Sequence, residues 1–200
     1  MKRLPIAVFL SGGGRTLENL IKHQTHHDLP IEIKLVISSS AEVRGVQIAR
    51  DAGIATEVIR KQDFADAQGY SAAMFDPVRN SGAEYVVMAG FLKHVLIPDD
   101  FDHRVINIHP SLLPAFGGAG MYGQRVHAAA IDRGVTISGC TVHFVDNQYD
   151  HGPIILQRSC EVQPQDTPDT LAARVFDLEC EALPAAIRMI AAKQDSETLN

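Results

Sequence analysis

Short apolar runs rich in Val and Ile recur along this chain, and between them lie longer segments whose apolar residues return every three or four positions. That alternation admits few folds, because a strand that is apolar throughout must be covered on both faces, and intervening helices are what cover it. The strand-like runs are residues 4–10, 31–37, 56–59, 85–89, 105–108, 139–145 and 154–160. Helical segments begin near Thr16, Val43, Asp63 and Gln124, and a last one covers 167–192, with Leu171, Val175, Leu178 and Leu183 as its buried stripe. The first five strands alternate with helices or loops, whereas the last two are joined by the turn-rich segment 146–153, short enough for an antiparallel pair. The expectation is an α/β chain with a mostly parallel, mixed sheet. In such sheets ligands collect beyond the carboxyl ends of the strands, here the loops after Leu10, Ala89, Ile108 and Val145.

At 200 residues, one domain with one core, spanning 1–200, is the economical organisation. The net charge is −6, from 18 basic and 24 acidic residues, with no run of Lys or Arg. That balance excludes the basic footprint of a nucleic-acid binder and favours small-molecule substrates. Cys140, Cys160 and Cys180 lack the close spacing of a zinc site or a disulfide framework, so they read as reduced thiols. Met1 to Leu10 faintly imitates a signal peptide, but the apolar run is short and ends in Ser11-Gly12-Gly13-Gly14 without a cleavage pattern. No apolar stretch approaches the roughly 20 residues of a membrane-spanning helix. The expected setting is cytoplasmic, with no membrane partner. His23, His26 and His27 have no carboxylates at matching intervals and read as solvent-facing, not as metal ligands.

Three loops carry residues suited to chemistry. Ser11-Gly12-Gly13-Gly14-Arg15-Thr16 lies between a strand and a helix, where backbone amides approach an anion at the positive end of the helix dipole. It matches neither G-x-G-x-x-G nor the P-loop, and taken alone it reads equally as a phosphate cradle or as a turn before a capping Thr16. Asn107 and His109 stand two apart at a strand end and face the same way, while Pro110 biases His109 toward extended backbone. An amide donor beside an imidazole suits acyl transfer; a capping Asn and a histidine satisfied by backbone groups is the plainer alternative. Asp150 is either a carboxylate supporting that imidazole or a turn residue.

Together and in this order, these segments resemble the phosphoribosylglycinamide formyltransferase (glycinamide ribonucleotide transformylase) family over nearly the whole chain. The matching blocks are the first strand with Ser11-Gly12, Ala89-Gly90-Phe91, Asn107-Ile108-His109-Pro110-Ser111-Leu112-Leu113-Pro114, Gly139-Cys140-Thr141-Val142-His143-Phe144-Val145, and Asp150 through Gln157. The resemblance implies a formyltransferase fold, a Rossmann-like three-layer sandwich. It also implies formyl transfer from 10-formyltetrahydrofolate to the amine of glycinamide ribonucleotide in purine biosynthesis, by direct attack and a tetrahedral intermediate, without a metal. By the same resemblance Asn107, His109 and Asp150 are catalytic, with Asn107 and protonated His109 on the developing oxyanion and Asp150 supporting His109. Ser11, Gly12, Gly13, Gly14, Arg15 and Thr16 would hold the ribonucleotide phosphate, and Glu179 its ribose. Phe91, Leu92, Lys93, His94 and Val95, with His143, Phe144 and Val145, would border the folate. The active form would be a monomer or homodimer.

The chain departs from the family pattern in three places. Gly13-Gly14-Arg15-Thr16 replaces the usual Asn/Thr-Gly-Ser-Asn of the first loop, Leu92-Lys93-His94-Val95 replaces Met-Arg-Ile-Leu, and 115–123 is a glycine-rich segment expected to act as a mobile flap, with Tyr122 as a substitute contact. Lys for Arg loses bidentate geometry. Of the rival readings, formyltetrahydrofolate deformylase shares a similar site but normally adds an N-terminal domain, and a first strand beginning by Leu4 argues against it. Transfer to methionyl-tRNA calls for a further C-terminal domain and a basic surface. A non-catalytic folate or nucleotide sensor has no need of an intact Asn107, His109 and Asp150.

Overall fold

The computed structural model describes residues 3–26 and 29–198; Met1, Lys2 and His27, which entered the reading above, lie outside the described residues. Seven strands and five α-helices follow one another as β1 (Leu4–Leu10), α1 (Arg15–His26), β2 (Ile31–Ser38), α2 (Arg44–Asp51), β3 (Thr56–Val58), α3 (Ala67–Ser81), β4 (Tyr85–Met88), β5 (Val105–His109), α4 (Gln124–Arg133), β6 (Ile137–Phe144), β7 (Ile154–Glu161) and α5 (Pro168–Thr198). They divide into two compact units, one formed by the chain up to Ile106 together with the segment from Ile187 onward, the other by Asn107–Ala186.

In the first unit the strand order is β3-β2-β1-β4 and every pair is parallel. All seven residues of β1 are buried, as a strand flanked on both sides and covered on both faces must be. The α3 helix starts later than its apolar pattern predicts. Asp63 is engaged by Arg60 at 2.9 Å in a short 3₁₀ turn, Lys61–Asp63, and the capping position falls to Asp66, whose carboxylate accepts from the Gly69 amide at 2.7 Å. At α1 the helix already begins at Arg15, with the Glu18 amide donating to the Gly14 carbonyl, so Thr16 lies within the first turn and is not its cap.

In the second unit β6 and β7 pair antiparallel, Thr141 opposite Gln157 and His143 opposite Ile154, with an irregularity between Val142 and His143. Both the parallel pairing and this antiparallel pair are those the connection lengths call for. Of the stripe expected on α5, Leu171, Val175 and Leu183 are fully buried and Leu178 half-buried. The helix also runs past 192 to Thr198. No helix among the described residues is long and apolar enough to cross a membrane.

Candidate functional site

The end of β5 and the loops on either side of β6 bring Asn107, His109 and Asp150 together within the second unit. His109 is 4% exposed. Its Nε2 lies 2.9 Å from the Phe116 carbonyl, and because a carbonyl only accepts, Nε2 carries the proton. The other ring nitrogen, Nδ1, stands 3.5 Å from Asp150 Oδ2. Asp150 sits in the left-handed region at φ 52°, a conformation an L-residue keeps only when its surroundings fix it. Part of that fixing is the Gly118 amide, which donates to Oδ2 at 2.9 Å.

Asn107 is oriented by His143. The Asn107 Nδ2 lies 3.2 Å from His143 Nε2, and His143 Nδ1 donates to the Phe144 carbonyl at 2.8 Å. With Nδ1 as the donor, the neutral ring presents a lone pair at Nε2 and accepts one amide hydrogen of Asn107, leaving the second for a ligand. Burial supports that neutral state: the ring is 1% exposed and desolvation lowers its pKa, outweighing the bond to Phe144 and the Asp150 carboxylate, whose Oδ1 is 3.8 Å away. The sequence reading gave His143 a place beside folate. Its ring is turned to Asn107 and Asp150.

Several supporting residues escaped the sequence reading. The Thr141 hydroxyl donates to the Ser111 carbonyl at 2.7 Å and accepts from the Leu113 amide at 3.0 Å and from Gln157 Nε2 at 2.9 Å, while Gln157 also reaches the Leu113 carbonyl at 3.0 Å. This clamp, with the Ser111 hydroxyl on the Ala115 carbonyl at 2.6 Å, holds the segment carrying the cis Leu113–Pro114 bond and the Phe116 carbonyl. Gly117 runs close against both sides of this loop, since a Cβ there would lie 2.5 Å from Leu113 Cδ2 and 3.2 Å from Asp150 Cβ. The cross-strand pairing of Thr141 with Gln157 is the one signal that could have flagged the clamp. His127 was also overlooked; it is 4% exposed on the inner face of α4 beside Val126 and Ala130, and burial, then the nearby charge of His109, lowers its pKa. Tyr122, offered as a substitute contact, is 44% exposed, with the Arg125 guanidinium 4.9 Å from its ring centre.

Of the other predicted site residues, Ser11 to Thr16 and Phe91 to Val95 belong to the first unit. The Ser11 hydroxyl accepts from the Leu92 amide at 2.9 Å and from the Ser39 hydroxyl at 2.8 Å, so it knits the two segments together. Gly14 is demanded by the fold, at φ 72° with a Cβ position only 2.5 Å from Gly45 Cα. Gly12 and Gly13 are not: neither has a positive φ, and a Cβ on either would meet nothing within 4 Å. Arg15 is exposed and Thr16 half-buried. Phe91 packs against Phe9 in a tilted pair with ring centres 5.5 Å apart, Val95 is buried, His94 is half-buried, and Leu92 and Lys93 are exposed. A cavity of about 830 Å³ opens between Ser11, Ser39, Arg60, Lys61, Leu92 and Lys93. In the second unit Glu179 is half-buried on α5, near enough that its charge adds to the burial that pushes the Cys140 thiol up to about 12, and Phe144 and Val145 are half-buried. Among the described residues no group of three or more His, Cys, Asp or Glu side chains is arranged to hold a metal ion.

Comparison with known proteins places this arrangement. The model of the formyl transferase family matches residues 4–187. The chloroplastic phosphoribosylglycinamide formyltransferase of Arabidopsis thaliana is 38% identical over 183 residues, 89% of this chain, and the chain spans only 62% of that relative's length. The crystal structure of glycinamide ribonucleotide transformylase 1 from Symbiobacterium toebii superposes with a TM-score of 0.89 at 34% identity, covering 96% of this chain and 89% of the other. The phosphoribosylglycinamide formyltransferase structure from Brucella melitensis gives 0.85 at 37% identity, covering 96% and 97%. The fold expected from the sequence is the fold of these structures.

Proposed function

The chain belongs to the formyl transferase family, and from that premise we propose that it transfers a formyl group from 10-formyltetrahydrofolate to the amine of glycinamide ribonucleotide, a step of purine biosynthesis. The observation that carries the reading is the convergence of three groups: the Asn107 amide oriented by His143 at 3.2 Å, His109 with Nδ1 as its working nitrogen, and Asp150 at 3.5 Å from it. The folate supplies an activated formyl carbon; everything else is positioning and proton movement by this chain. Asn107 Nδ2 and the Nδ1–H of protonated His109 are two donors for negative charge growing on the formyl oxygen. Asp150 stabilises the imidazolium and, directly or through a water, takes the proton that the attacking amine must lose. One proton leaves the amine and one is delivered to the departing folate nitrogen, so the site ends as it began.

The first loop supports the acceptor half of the reading. Gly12 and Gly13 answer no need of the fold, whereas an anion approaching the amides that precede α1 needs bare backbone there. Arg15 beside it adds charge, Glu179 takes the ribose hydroxyls, and 91–95 with 143–145 border the folate. The net charge of −6 supports small-molecule partners over nucleic acid, and we place the protein in the cytoplasm as a monomer or homodimer whose residues 1–200 act as one catalytic domain. Incubation with 10-formyltetrahydrofolate, with and without glycinamide ribonucleotide, tests this. Acceptor-dependent release of deformylated folate is expected, release without acceptor makes the protein a hydrolase, and no release overturns both. His109→Ala is expected to lower turnover by about two orders of magnitude or more.

A further inference from the structure

The turn that presents Asp150 is cross-braced by two residues that have no part in the chemistry above. Asp146, at the start of the turn, uses both oxygens: Oδ1 accepts from the Gln148 amide at 2.8 Å, and Oδ2 takes His151 Nδ1–H at 2.7 Å. Burial alone would raise the Asp146 carboxyl. The His151 bond and the Gln148 amide outweigh it and hold the group below the usual carboxylate range, with His143 contributing from β6. The brace therefore spans 146 to 151 and ends on the neighbour of Asp150, whose backbone is held at φ 52°. Beyond it the turn is closed by the Phe144 amide on the Pro153 carbonyl at 2.9 Å.

We propose that Asp146 and His151 are positioning residues, whose contact across the turn sets the Asp150 carboxylate at its working distance from His109. Two features favour this over an ordinary surface pair. Exposed ion pairs contribute little to stability, so a pair at 2.7 Å with His151 62% exposed is a weak device for holding the fold. It lies, however, one residue from a strained carboxylate that must meet His109 across a 3.5 Å gap, and small displacements at such a gap are costly to catalysis. The contacts already described reach only the carboxylate itself, the Gly118 amide on Oδ2 and His143 3.8 Å from Oδ1, and leave the turn behind it to other residues.

This proposal rests on the formyl-transfer reading, and its test has one readout that does not. His151→Ala is expected to lower kcat about tenfold or more, with KM for both substrates within twofold and the melting temperature unchanged. The double variant with Asp146→Ala should be no worse than the more impaired single variant. His151→Asn, whose amide nitrogen stands near the position of ring Nδ1, should restore most of kcat; a generic destabilisation of the turn would not be rescued in this way. Independently of activity, the His109 Cε1–H resonance should move in His151→Ala toward its position in Asp150→Ala. If wild type transfers no formyl group, the functional reading fails and the resonance alone decides the brace. Unchanged kcat in an active enzyme, or an unmoved His109 resonance, overturns it.

Discussion

Replacing Gly152 by alanine tests whether the site is held by backbone contacts, as the two imidazole rings indicate. A Cβ at 152 would lie 2.0 Å from the Phe144 carbonyl oxygen, 2.9 Å from its carbon and 3.4 Å from the Asp146 nitrogen. Those are backbone atoms, and an ordinary carbon–oxygen contact needs the gap to open by more than about 1 Å. The Phe144 carbonyl is also the acceptor of His143 Nδ1, and the Phe144 amide closes the turn on Pro153. Overpacking costs about 1–3 kcal/mol, the lost backbone bond about 1 kcal/mol, and an abandoned buried donor on His143 about 1–3 kcal/mol more. A sum of about 3–7 kcal/mol corresponds to a melting temperature lower by roughly 15 °C in a chain of this length. A displacement on the scale of 1 Å at Asp150 and Asn107 should lower kcat by about a hundredfold. Thermal melts and steady-state kinetics on Gly152→Ala check both, with Gly53→Ala as the control, since that site has φ 69° and open space and costs only about 1 kcal/mol. A Gly152→Ala protein melting within 2 °C of wild type would refute the packing estimate, and a destabilised protein with intact kcat would refute the link from this turn to the site.

Gly13→Ala should leave the melting temperature unchanged, because the added methyl meets nothing, and raise KM for the phosphorylated acceptor about tenfold or more; an unchanged KM removes this loop from phosphate binding. Burial lowers the pKa of both His127 and His143 below the ordinary 6.5, so each adds stability that is complete above about 6.5 and is lost as pH falls from there toward the folded value. Melting temperatures should therefore drop between about pH 7.5 and about pH 5.5, and His127→Leu should flatten the slope. Cys140 is fully buried with its thiol pushed up to about 12, so mass spectrometry should find it unalkylated in the native protein at neutral pH and modified once unfolded.

The strands were legible because buried strands of a parallel sheet are written as short, nearly continuous apolar runs, and β1, Leu4–Leu10, is buried along its whole length. The start of α3 was less so: Asp63 and Asp66 are both of a type that caps helices, and the structure shows that Arg60 engages the first within a local turn and leaves the second to the helix. At the site, the two-residue spacing of Asn107 and His109 disclosed a shared direction. It carried nothing about Phe116 or Thr141, because a backbone carbonyl has no residue signature and a cross-strand clamp depends on register. Ser11 was placed at the substrate by the resemblance of its loop, and no sequence signal disclosed that its hydroxyl accepts two bonds from its own unit. His127 drew no notice because a single histidine in an apolar helix face resembles a surface residue until burial is seen.

The two rings at the site share one device and differ in one consequence. Each commits a single nitrogen to a backbone carbonyl, His109 Nε2 to Phe116 and His143 Nδ1 to Phe144, and a carbonyl, having no proton, leaves no choice of tautomer. Opposite nitrogens are committed, so opposite nitrogens are aimed. His143 points a lone pair at the Asn107 amide and is kept neutral by burial, because a second proton there would expel that amide. His109 points Nδ1 at the Asp150 carboxylate, 3.5 Å away. Two residues of the same type thus turn their remaining nitrogens to an amide and to a carboxylate. The difference lies in which peptide carbonyl each ring was folded against, which is why a change at Gly152 or in the Thr141 clamp, neither of them in contact with the chemistry, should reach kcat.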